Sequence, residues 1–153
     1  MAVEVSQRIA APPERVFALV ADLSRMPEWN PEAAAVEWLD GASGPAVGAR
    51  FRGTNRNGFR RWSTTCTVVA FDPPREISWR VRSYGMAVAR WTYRVEPDGE
   101  GGAILTESTD DERGALIRFA SRPATGVSDR AEHNRRTMTE TLNRIKAAAE
   151  PAS

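Results

Sequence analysis

Glu107 has the most chemistry to offer of any residue in this chain. It lies in a strand-like run, residues 103–110, two positions after Leu105. On an extended strand that spacing puts both side chains on one face. If the face is inward, the carboxyl sits in apolar surroundings, its pKa rises, and it can serve as an acid or a base. The other phase places Ile104, Thr106 and Ser108 inside and Glu107 in water. The run alone leaves both phases open. Tyr93 is the second catalytic candidate. It alternates with Trp91 and Val95, and a buried phenol needs a hydrogen-bond partner that a ligand can provide.

Around these two stand residues suited to binding. Phe51, Trp79, Trp91 and Tyr93 fall on the inferred inward faces of three strands. They make an aromatic lining for a flat hydrophobic ligand, or ordinary core, since aromatics dominate cores too. Asn55 shares the Phe51 face. Met138 and Leu142 belong to an apolar stripe near the end of the chain, and Asn134 and Thr141 lie beside it. Those two either point polar groups at a ligand or, the better reading, sit half solvated at the stripe edge. Phe119 stands in a short apolar patch with Leu116 and Ile117 and needs a surface to cover. Trp29 fits the wall or seal of the same space.

Other chemistry is poorly supported. His133 is the only histidine, lacks a nucleophilic partner pattern, and reads as part of a solvated helix face beside Arg130 and Arg136. No His/Asp/Glu set has metal-ligand spacing. Cys66 is the only cysteine, which excludes a disulfide or a cysteine cluster within the chain, and it reads as inert packing. No metal and no cofactor is expected. The hairpin at residues 55–62 mixes arginines with Phe59 and Trp62. It reads as a solvated tip or a gate over a cavity mouth; nucleic acid is not expected as a partner. Residues 113–126, bracketed by glycines, are the other gate candidate.

The elements that must position these residues follow from periodicity. Val3, Val5, Gln7 and Ile9 alternate with polar neighbours as a half-buried strand, which Pro12 and Pro13 end. Val16, Phe17, Leu19, Val20 and Leu23 recur at helical spacing. Asp22 and Ser24 read as capping or turn residues, and Pro27 permits only a short second helix over residues 26–29. Val36 and Trp38 mark another strand. Residues 48–56 alternate most clearly, before the Asn57-Gly58 hairpin signal. Residues 60–71, 76–82, 89–96 and 103–110 follow as strands separated by turns. Strands so spaced, each with one polar face, make an antiparallel meander. Helicity resumes at Ser128 or Asp129 and ends before Pro151, with Ala131, Met138, Leu142, Ile145 and Ala149 as its stripe.

Composition sets the frame. At 153 residues, 41% apolar and 27% charged, the chain suits one domain over 1–153 with a real core. A net charge of +1 gives no general pull toward nucleic acid or membrane. No 18-residue apolar stretch exists for membrane insertion, and the start does not read as a signal peptide, so a cytoplasmic protein, monomer or homodimer, is expected. Six or seven strands with one apolar face need cover, and the long last helix is the natural cover. A twisted sheet wrapped on one helix leaves space, and such space is where ligands usually bind.

Several motifs sharpen this. Ala11-Pro12-Pro13-Glu14-Arg15-Val16-Phe17 with Trp29-Asn30-Pro31, then Phe71-Asp72-Pro73-Pro74-Arg75, Trp91-Thr92-Tyr93 and the Ala-rich last helix together resemble the START-like (SRPBCC) superfamily. The branch it resembles is the bacterial polyketide cyclase/dehydrase-like group, over almost the whole chain. The resemblance implies an α+β helix-grip fold: a curved antiparallel sheet of six to seven strands around a long C-terminal helix, with two short helices after the first strand. It also implies a ligand cavity, with or without chemistry. The expected function is binding of a small hydrophobic or aromatic metabolite, polyketide- or lipid-like. The alternatives are a polyketide cyclase, aromatase or dehydratase using Glu107 or Tyr93, and an interaction or stress-related module with a vestigial cavity.

Overall fold

The computed structural model describes residues 2–112 and 130–151. The strands are β1 (Ala2–Ile9), β2 (Ala33–Trp38), β3 (Arg50–Asn57), β4 (Arg60–Asp72), β5 (Glu76–Ser83), β6 (Met86–Pro97) and β7 (Ala103–Asp111). The helices are α1 (Pro13–Ala21), α2 (Met26–Trp29) and α3 (Arg130–Ala149), with a 3-10 turn, Leu23–Arg25, ahead of α2. Among the described residues the strands form one curved antiparallel sheet in the order β1-β7-β6-β5-β4-β3-β2. From β2 to β7 it is a meander. Strand β1 stands at the edge opposite β2, so α1 and α2 must carry the chain from one edge to the other.

The proline pair explains that crossing. It stops β1, and Pro13 enters the first turn of α1, where its fixed φ suits a helix. Val16, Phe17, Val20 and Ala21 are buried, with the Phe17 ring 6.0 Å from that of Phe71. The stripe of α3 is buried as its spacing demands: Met138, Leu142, Ile145 and Ala149 are each 1% exposed or less. The C-terminal end of α3 is held from outside. Arg15 Nε donates to Ala149 O at 2.6 Å, a cation at the negative end of the helix dipole. The Ala10 N–H donates to Glu150 Oε2 at 2.7 Å.

Some boundaries differ from the sequence reading. Strand β2 begins at Ala33, because Ala33 and Ala35 pair with β3 on either side of a register shift that alternation does not reveal. Strand β3 begins at Arg50; Gly48 has φ 91°, which turns the chain instead of extending it. Of the two roles read for Asp22 and Ser24, capping or turn, the turn role holds: Ser24 Oγ donates to Asp22 Oδ1 at 2.7 Å at the 3-10 turn, and Asp22 makes no side-chain cap. The expected helix start at Ser128 or Asp129, Phe119 and the gate candidate 113–126 lie outside the described residues.

Candidate functional site

The phase of β7 is set by its neighbours. Glu107 stands opposite Tyr93 on β6 and Val5 on β1. Leu105, Glu107 and Thr109 are buried, while Ile104 is 37% exposed. Glu107 therefore faces α3, in the inward of the two phases that the sequence left open. It is 2% exposed, as is Tyr93. The Tyr93 hydroxyl donates a hydrogen bond to the Glu107 carboxyl. The other carboxyl oxygen, Oε1, is buried with no partner, alone in this among the described side-chain atoms.

Burial dominates the electrostatics. It pushes the Glu107 pKa up to about 8, against the smaller opposing effect of the Tyr93 donor. Burial, and then the Glu107 charge, pushes the Tyr93 phenol well above its ordinary value. At neutral pH both groups are mainly protonated. The pair is then an uncharged acid with one oxygen available to an incoming group.

An aromatic chain leads across the sheet to this pair. Trp38 meets Phe51 with centroids 5.5 Å apart, Phe51 meets Trp79 at 6.2 Å, and Trp79 meets Tyr93 at 5.7 Å. Phe51 and Trp79 are buried, and Trp91, opposite Thr109, is half-buried on the same face. Asn55 is half-buried further along β3. From α3, Met138 and Leu142 are buried and Asn134 is half-buried. Trp29, 3% exposed, is buried at the end of α2 beneath the Arg25 guanidinium, which lies 5.0 Å from its ring centre.

Two expectations are corrected. Thr141 is fully buried, not half solvated, because α3 presses this side onto the sheet. Its hydroxyl donates to Thr137 O at 2.8 Å, so its proton is already used. His133 does not sit on a solvated face. Its Nε2 lies 2.7 Å from Glu32 Oε2, with the imidazole side chain 20% exposed. This contact ties the N-terminal half of α3 to the turn between α2 and β2. Cys66 behaves as expected for packing: burial pushes its thiol up to about 12.

Sequence reasoning missed Thr109 and Trp38 as neighbours of the site. The period of two that carries Leu105 to Glu107 also carries Thr109 inward, and Trp38 was legible as a strand residue but not as the start of the aromatic chain. A cleft of about 350 Å³ opens between α1 and the β2–β3 loop, lined by Ala18, Asp22, Ser24, Trp38 and Pro45 among others. None of the residues singled out for binding lines it. Among the described residues no cluster of three or more His, Cys, Asp or Glu is placed to hold a metal ion, and no helix is long and apolar enough to cross a membrane.

Comparison with known proteins gives a consistent result. The family model described as "Polyketide cyclase / dehydrase and lipid transport" matches residues 1–150. The Polyketide_cyc-like protein Cgl2372 from Corynebacterium glutamicum is 33% identical, with TM-score 0.59, covering 97% of this chain and 88% of that one. Ginseng major latex-like protein 151 from Panax ginseng is 14% identical, with TM-score 0.75, covering 99% and 98%. Protein CV1439 from Chromobacterium violaceum is 17% identical, with TM-score 0.73, covering 99% of both chains. The last two likenesses show the shared helix-grip fold. Among curated protein sequences, none matches this chain.

Proposed function

This chain belongs to the polyketide cyclase / dehydrase and lipid transport family, and from that premise we propose that it binds one small hydrophobic or aromatic metabolite between α3 and the concave face of the sheet. The ligand is polyketide- or lipid-like, and it is bound without being converted. The observation that carries this reading is Glu107 Oε1, a buried oxygen with no partner. Leaving such a group unsatisfied costs about 1–3 kcal/mol, and a ligand group supplies the missing bond. Because the acid is mainly protonated at neutral pH, a ketone, hydroxyl or phenol suits it. The aromatic chain from Trp38 to Tyr93 suits a flat, apolar body.

Native mass spectrometry of the protein purified from its own host tests this. A co-purifying small molecule, displaced when a matching compound is added, is the expected result. Glu107→Ala should then weaken that compound about tenfold. No co-purifying molecule, together with no thermal shift across a library of hydrophobic metabolites, would sink the proposal.

One observation favours a second reading, a polyketide cyclase, aromatase or dehydratase. An acid titrating at about 8 beside a phenol is matched to proton transfer near neutral pH. In that case Glu107 passes a proton to a ketone oxygen while Tyr93 holds the carboxyl in place. Glu107→Gln separates the two readings, since it retains a binder's affinity within a few fold and abolishes turnover of a poly-ketone substrate.

A further inference from the structure

Three large hydrophobic side chains stand exposed on two hairpin tips at one end of the sheet. Phe59, in the β3–β4 turn, is 87% exposed; Tyr84, in the β5–β6 turn, is 98% exposed, and Met86 beside it is 46% exposed. Strands β3 and β5 run toward this end, and β4 and β6 run away from it. Tyr84 has φ 52°, a left-handed conformation that favours Gly or Asn. An aromatic ring is placed there without any packing to compensate.

The charges at the same end are also unusual. Arg56 and Arg61 face each other across the β3–β4 ladder, both exposed. Like charges directly opposed across a ladder are destabilising. Among the described residues neither is joined to a carboxylate. By contrast Arg50, Arg52, Arg80 and Arg94 are paired with Asp40, Glu37, Glu112 and Glu76. Arg60 lies over the Phe59 ring, 4.6 Å from its centre. Arg82 reaches the carbonyl of Gly85 in the second tip. Of the acids at this end, Glu112 is taken up by Arg80 and Glu32 by His133, Asp110 stands opposite Arg90 in the ladder, and Asp111 stands opposite Ala89. Among the described residues, Arg56, Arg60, Arg61 and Arg82 gather at these two tips, a clustering that the net charge of +1 does not reveal.

We propose that this end of the sheet docks on an anionic lipid surface. Phe59, Tyr84 and Met86 enter the interfacial layer, and Arg56, Arg61 and Arg82 meet the lipid phosphates. A single-stranded nucleic acid fits less well. It needs a row of open rings to stack on, whereas Arg60 already covers one face of Phe59, and Met86 offers no ring. A second copy of the chain also fits less well, because a two-fold contact would bring Arg56 and Arg61 against the same arginines. Docking of this kind is peripheral and does not depend on whether the interior binds a ligand.

Co-sedimentation with vesicles of phosphatidylglycerol and phosphatidylcholine, against phosphatidylcholine alone, tests the proposal. Binding to the anionic vesicles only, weakening as salt rises, is the expected result. The paired substitutions Phe59→Ser with Tyr84→Ser, and Arg56→Gln with Arg61→Gln, should each lower it about tenfold or more. All four side chains are exposed, so the circular dichroism spectrum of each variant should match the parent. Absence of binding to either vesicle, or binding that both variants retain in full, overturns the proposal. So does a single-stranded oligonucleotide that binds more tightly than the vesicles, or a dimer that Phe59→Ser dissolves.

Discussion

Asp98 in the β6–β7 turn and Glu107 in the middle of β7 are two carboxylic acids on one hairpin, pushed in opposite directions. Asp98 accepts the N–H of Glu100 at 2.7 Å, that of Gly102 at 2.9 Å and Arg8 Nε at 2.9 Å. These donors, the Glu100 amide first, hold its carboxyl below the ordinary range. The fit is close: a Cβ on Gly102 would lie 2.5 Å from Asp98 Oδ2. Glu107 has one donor, Tyr93, and is driven up to about 8 by burial. The turn uses its acid to fold the chain and leaves nothing over. The strand leaves one oxygen without a partner, at a cost to stability, and it is this oxygen that the proposed ligand would satisfy.

The largest effect that can break this contrast is in pH. The folded state holds the Glu107 proton up to about 8, while the unfolded chain releases it near 4.5, so stability falls as pH rises through that window, by on the order of 4 kcal/mol. Glu107→Gln cannot ionise. Urea denaturation at several pH values should show this slope in the parent and a flat profile in the variant. An unchanged slope in Glu107→Gln would remove Glu107 from its place as the buried acid.

Next in size is Tyr93→Phe. It removes the only donor to Glu107 and should cost about 1–2 kcal/mol at pH 6. The Glu107 titration should move above its value of about 8, because the Tyr93 hydrogen bond is what lowers it. A carboxyl followed by infrared or NMR titration would show the direction.

The smallest effect is at Asp98, and its pH sign is the reverse. Its pKa is depressed, so its contribution is present at neutral pH and is lost as pH falls through the folded value, below 3.8. Asp98→Ala should lower the melting temperature at pH 7 and converge with the parent in acid. A difference that persists in acid would mean that the turn is held by something other than the charged carboxylate.

Much of the fold was legible from the residues because periodicity is a local property. Alternation marked β3, β5 and β6, Asn57-Gly58 marked a hairpin, and the proline pair marked the start of α1. The phase of β7 was not legible. Ile104 and Leu105 are both apolar, and the small hydroxyls that follow suit either face, so no local preference separates the two registers. Pairing with Tyr93 and Val5 decided it. The contact of His133 with Glu32 spans 101 residues and leaves no mark in either segment. Thr141 was assigned to the stripe edge from a helical wheel, but how wide a stripe is buried depends on how closely the helix lies on its sheet.

The sequence by itself determined the fold. Its strand periods, turn residues and proline brakes act over a few residues and point to one architecture. Only the tertiary structure decided which acid is buried and which oxygen goes unsatisfied. Burial and the supply of donors come from residues distant in sequence, and those two quantities set the opposite pKa shifts of Asp98 and Glu107.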